Sequence, residues 1–174
     1  MGCDLQSFAE RKLNGKWLKV EEDSEPFNWR SYSMFGFLAN VRNYDCCEPI
    51  SEPKGWPEDS VFLDSMDEDD FFEFFEDKPM TNKECIERYA HSWSYLTLKE
   101  LLDFDYDKTF WNRRDSQTKY YEDGTSFTVG AGLAEEGEIV SYRENLGTEF
   151  FKQLEELKQF GDPEDVRVVF WFVD

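Results

Sequence analysis

The stretch that most constrains this chain is Val166-Arg167-Val168-Val169-Phe170-Trp171-Phe172-Val173. It is made of β-branched and aromatic residues with a single charge and no apolar/polar alternation. That pattern reads as a strand buried on both faces. Such a strand has no solvated side, so the sequence predicts it at the centre of a sheet. A β-hairpin is predicted at the other end of the chain, over residues 3–21. Asn14-Gly15 is its turn, because both residue types tolerate positive φ. Trp17, Leu18 and Val20 supply the second strand, and Glu21 to Pro26 form a charged loop.

Helical patterns fill the middle of the chain. Met34, Phe37, Leu38 and Val41 fall at i, i+3, i+4 and i+7, which predicts a helix over Ser31–Val41. Thr81-Asn82-Lys83-Glu84 and Thr97-Leu98-Lys99-Glu100 are capping-box sequences, each predicting a short helix. The first is expected to run to about Tyr89. Phe150, Phe151, Leu154 and Leu157 make one face of an amphipathic helix over Thr148–Phe160, stopped by Gly161. Residues 109–129 suggest a second hairpin turning at Glu122-Asp123-Gly124, followed by a flexible connection from Gly130 to Gly137. Strands at both ends with helices between predict an α+β fold. Its sheet is mixed or antiparallel, with an N-terminal hairpin, a central C-terminal strand and about four packed helices.

The chain of 174 residues is long enough for one domain. At that size it needs neither disulfide nor metal staple. Seventeen Phe and six Trp supply its core. We read 1–174 as a single domain carrying an acidic, loop-rich insertion over 44–80. Within the insertion, Glu48 to Pro57 holds three prolines and a glycine and reads as surface loop. Cys3, Cys46, Cys47 and Cys85 include no Cys-x-x-Cys pair, and adjacent Cys46 and Cys47 are poorly placed for a mutual disulfide. This usage fits a reducing cytoplasm. No apolar run is long enough to span a membrane. Met1-Gly2-Cys3 lacks the Ser or Thr that myristoylation wants at position 6, where Gln6 stands.

Charge narrows the partners. Thirty-nine acidic against 19 basic residues give a net charge of −20. That opposes direct contact with DNA or RNA phosphates and with anionic membranes. It favours a basic partner and speeds association with one. The acidity concentrates in Glu58–Asp77, which holds ten carboxylates (Glu58, Asp59, Asp64, Asp67, Glu68, Asp69, Asp70, Glu73, Glu76 and Asp77) and no Lys or Arg. Five phenylalanines (Phe62, Phe71, Phe72, Phe74 and Phe75) thread through it, which a purely solvating acidic tail would lack. Carboxylates spaced along such an edge can imitate a nucleic-acid backbone, with Phe as desolvated anchors. These ten residues are the candidate partner-binding surface.

Catalytic motifs are sparse. His91 is the sole histidine, so multi-histidine metal centres are excluded, and neither metal nor cofactor is expected. Asp103-Phe104-Asp105-Tyr106-Asp107 resembles the first half of a calcium loop, with its carboxylates on one face of an extended segment. It has Lys108 where the turn needs Gly and Arg114 where a bidentate Glu belongs. Gly130-Ala131-Gly132 lacks the third glycine of a dinucleotide fingerprint. The enzyme alternative is a small catalyst or nucleotide-handling protein using Cys3, Asp4, Arg42 and His91 in one pocket.

Four blocks recur together in one known group: Met1-Gly2-Cys3-Asp4-Leu5, Phe37-Leu38-Ala39-Asn40-Val41-Arg42, His91-Ser92-Trp93-Ser94-Tyr95-Leu96-Thr97-Leu98-Lys99-Glu100-Leu101, and Asp165-Val166-Arg167-Val168-Val169-Phe170-Trp171-Phe172. In that order they resemble a family of small proteins encoded by bacteriophages and prophages. The resemblance spans nearly the whole chain, yet it transfers no activity. Members commonly open Met-Gly-Cys-Asp-Ile-His, whereas Leu5-Gln6 stands here, a departure that favours a binding role. The resemblance implies a bacterial host cytoplasm. By analogy with other acidic phage proteins, it implies an inhibitor of a host nucleic-acid-binding defence protein, of anti-CRISPR or anti-restriction type. Its oligomeric state is open.

Overall fold

The computed structural model describes residues 2–20, 24–66, 80–120, 122 and 126–174. The fold is α+β. Among the described residues, six strands form two antiparallel sheets: β1 (Asp4–Leu13), β2 (Lys16–Lys19), β3 (His91–Thr97), β4 (Thr109–Tyr120), β5 (Ser126–Ser141) and β6 (Val166–Val173). The helices are α1 (Tyr32–Ala39), α2 (Val61–Asp64), α3 (Asn82–Glu87), α4 (Leu98–Asp103) and α5 (Tyr142–Leu157), the last continuing as a 3-10 turn over Lys158–Phe160. Two compact units result. One joins Met1–Arg30, Pro53–Asp103 and Phe150–Asp174; the other joins Ser31–Glu52 and Phe104–Glu149.

The first unit holds the four-stranded sheet, ordered β2-β1-β6-β3. The apolar C-terminal run becomes β6, an interior strand buried from Val166 to Phe172. Asn14 and Gly15 both take positive φ in the β1–β2 turn, as the hairpin requires. On one face, Phe8, Val169 and Trp171 pack with Leu63 and Ile86. Arg167 is the charge inside β6. It donates to Glu10 at 2.6 Å and to Asp59 at 2.7 Å, and its guanidinium lies 4.1 Å from the Trp17 ring centroid. Ser60 also donates to Glu10. A buried cation is tolerated only when paired and hydrogen-bonded, and Arg167 is both.

Both threonine capping boxes form. Thr81 and Glu84 exchange hydrogen bonds at the start of α3, and Thr97 and Glu100 do so at α4. Helix α3 ends at Glu87, two residues short of the expected limit. Helix α5 joins two helical segments across Gly147: the expected one from Thr148, and before it a short one that starts at Tyr142. A third box explains this: Ser141 accepts from the Glu144 N–H, and the Glu144 carboxylate accepts from the Ser141 N–H. Gly147, at φ 75 and ψ 173, then breaks the helix.

The second unit holds the β4–β5 ribbon. Its residues from Gly130 to Gly137 are strand rather than flexible connection, paired with β4 through Arg114↔Leu133 and Asp115↔Gly132. Two register shifts absorb the irregular sequence. Gly137 serves close approach: a Cβ there would lie 2.3 Å from the Asn112 carbonyl oxygen. Aromatic packing supports the unit, with the Phe37 and Phe104 rings in contact with each other and each with Tyr106 and Tyr142. Burial pushes the Tyr106 hydroxyl pKa up. The Asp103–Asp107 carboxylates do not line one extended face. Asp103 ends α4 and pairs with Lys99, Asp105 caps its own turn by accepting from the Asp107 N–H, and Asp107 pairs with Arg143.

Candidate functional site

Three strands deliver three different donor groups to one end of the four-stranded sheet. The β1–β6 register pairs Asp4 with Val173 and Leu5 with Phe172. Continuing it by one residue sets Cys3 opposite Asp174, and opposed residues of an antiparallel pair share a face. On the other side of β6, His91 pairs with Phe172, and their rings lie 6.1 Å apart. The Cys3 thiol, a His91 ring nitrogen and an Asp174 carboxylate oxygen accordingly fall within 4.8 Å of one another. Cys3 is buried, while the His91 and Asp174 side chains are 41% and 45% exposed, so the group sits at the margin of the core.

The His91 ring is aimed by its own strand. A register shift between His91 and Ser94 interrupts the pairing with β6, and Ser92 takes a left-handed φ of 52. Bulges re-aim side chains, and a left-handed non-glycine residue stores backbone strain. Ser92 Oγ lies 3.0 Å from His91 Nδ1. That contact orients the ring so that Nε2 faces Asp174 Oδ2 at 3.6 Å. The Nε2 atom is buried and has no hydrogen-bond partner.

The other sequence candidates fall elsewhere. Asp4 lies on the opposite side of β1 from Cys3 and takes a bidentate pair from Arg30, with both bonds at 2.8 Å. Arg42 belongs to the second unit, at φ 48. Gln6 accepts a hydrogen bond from the Trp171 indole at 2.9 Å. Alternation along β1 sets position 6 on the face away from Cys3, so a histidine there would not join this group. Two surface depressions, one lined by Gln153 and Phe160 and the other by Lys99 and Pro163, use none of these residues. Asp174 was missed in the sequence because only the β1–β6 register brings it to Cys3.

Of the acidic segment, Glu58, Asp59 and Asp64 are described and all are exposed. Asp59 is engaged by Arg167. Phe62 packs on Phe8 with ring centroids 4.9 Å apart, and Leu63 enters the core, so the segment's start is anchored in the sheet. Asp67, Glu68, Asp69, Asp70, Glu73, Glu76 and Asp77 lie outside the described residues. The cysteines form no disulfide among the described residues. Burial, with the Asp45 carboxylate adding to it, pushes the Cys47 thiol pKa up to about 12, so Cys47 is a neutral core filler.

No protein-family model, curated protein or solved structure matches the chain.

Proposed function

We propose that the protein is an acidic inhibitor that occupies the basic, nucleic-acid-binding surface of a host defence protein, of anti-CRISPR or anti-restriction type, by nucleic-acid mimicry. One observation carries this reading. Nine described Lys and Arg side chains, from Arg30 to Arg167, are each held at ion-pair distance by a carboxylate of the same chain. Those pairs are neutral units. The remaining carboxylates outnumber the remaining Lys and Arg side chains by 20, an excess that makes the field of the protein negative. The phage-family resemblance supplies the host setting.

The test is capture of nucleic-acid-binding proteins from bacterial lysate at low and high salt, with duplex DNA as competitor. The expected partner is released by added salt and by DNA. Reversing Asp67, Glu68, Asp69 and Asp70 to Lys together weakens that complex by well over tenfold. Unchanged affinity after the reversal would sink the reading.

A second reading rests on the meeting of Cys3 and His91 with Asp174. A thiol, an imidazole and a carboxylate in reach of one another are the groups of a small enzyme or nucleotide-handling protein. A His91→Ala variant that retains full biological activity removes this alternative.

A further inference from the structure

We infer that Cys3, His91 and Asp174 form a binding site for a divalent first-row cation of the zinc class. The donor set comes first. One thiolate, one imidazole and one carboxylate suit zinc-class ions, whereas magnesium and calcium take oxygen ligands. Spacing comes second. Tetrahedral bonds of about 2.0–2.1 Å set nitrogen and oxygen donors roughly 3.3 Å apart. His91 Nε2 and Asp174 Oδ2 stand 3.6 Å apart, and all three donors lie within 4.8 Å of one another. The His91–Asp174 pair closes on an ion with a few tenths of an ångström of movement, and the Cys3 thiol with a shift of up to about one ångström.

The imidazole carries the independent observation. Nε2 is buried and makes no hydrogen bond, with Asp174 Oδ2 just beyond hydrogen-bond reach at 3.6 Å, an arrangement unfavourable for a polar atom. A metal ion would satisfy it. Ser92 holds Nδ1, the outer contact that a metal-bound histidine ordinarily makes to fix its ring and tautomer. The bulge and the left-handed Ser92 are what turn the ring to this position. Three protein donors leave a fourth coordination position for solvent or a small ligand.

The site stands apart from the acidic-surface reading, and its test does not depend on that reading. The purified full chain, stripped with chelator, is titrated with cobalt(II) as a spectroscopic stand-in for zinc. The expected result is one equivalent bound, with a near-ultraviolet sulfur-to-cobalt charge-transfer band and the visible bands of four-coordinate cobalt. Cys3→Ser removes the charge-transfer band. His91→Gln and Asp174→Asn each weaken binding at least tenfold, with far-ultraviolet circular dichroism reporting that they fold. Both are at partly exposed positions, so they remain informative if Cys3→Ser does not fold. Two results overturn the inference: no charge-transfer band in the parent protein, or cobalt binding unchanged in folded His91→Gln and Asp174→Asn, which would place the ion on surface carboxylates instead.

Discussion

The two sheets solve the same problem in opposite ways. In the four-stranded sheet, β6 is covered on both faces and its one charge, Arg167, is neutralised inside. In the β4–β5 ribbon, Trp111 pairs with Ile139, yet both are exposed, as is Leu133. The first sheet is specified by burial, which tolerates no slip because a one-residue shift would turn apolar side chains outward. The ribbon has less burial to fix its register. It relies instead on bulges, on close contact at Gly137 and on the ring cluster around Tyr142. Site-building follows the same division. The four-stranded sheet brings three donor groups together, two at the ends of β1 and β6 and one at the bulge in β3.

The sharpest way to break the contrast is inside β6. Phe170 is 1% exposed, so Phe170→Ala should cost about 3–5 kcal/mol and lower the main unfolding transition in denaturant. A smaller effect is expected in the ribbon. Gly137→Ala drives a methyl group against the Asn112 backbone, which cannot swing aside, and should cost about 1–3 kcal/mol. Gly132→Ala meets only the Asp115 side chain at an ordinary 3.6 Å and should be tolerated. Hydrogen exchange of β4 and β5 amides reads both variants; equal protection in the two would contradict the role given to Gly137.

The smallest effect is one both units share. Hydrogen bonds from Thr81 hold the Glu84 carboxyl pKa below its ordinary value, and those from Ser141 do the same for Glu144. Burial works against the Glu100 carboxylate, but Lys54 and Thr97 outweigh it and hold its pKa down as well. A depressed folded pKa stabilises the helix starts above the unfolded value near about 4.3, and that stability is lost as pH falls through the folded values. The amide signals of Thr81, Thr97 and Ser141 in NMR should therefore titrate with midpoints below about 4.3. Midpoints at or above that value would show that the boxes do not form in solution.

Much of the frame is legible in the residues. The hairpin at Asn14-Gly15, the interior strand and two capping boxes follow from local chemistry, because turn φ, strand burial and N-terminal capping depend on near neighbours. The third box, Ser141-Tyr142-Arg143-Glu144, carries the same signature and was open to the same reading. Strand β3 was not legible. His91-Ser92-Trp93-Ser94-Tyr95 has a bulge where alternation should be, and its partner lies some eighty residues away at β6. The Gly130–Gly137 stretch misled for a related reason: glycine signals flexibility in isolation, but here it permits backbone contact.

The candidate site divides the same way. His91 and Cys3 attract notice as reactive residue types, but nothing local relates them, and Asp174 is one of 39 acidic residues. By itself the sequence determined the α+β class, the central C-terminal strand and the negative charge, since each is a property of local pattern or simple summation. Only the tertiary structure decided which carboxylate meets the thiol and the imidazole. Antiparallel register is a long-range agreement between β1, β6 and β3, and no short window of sequence contains it.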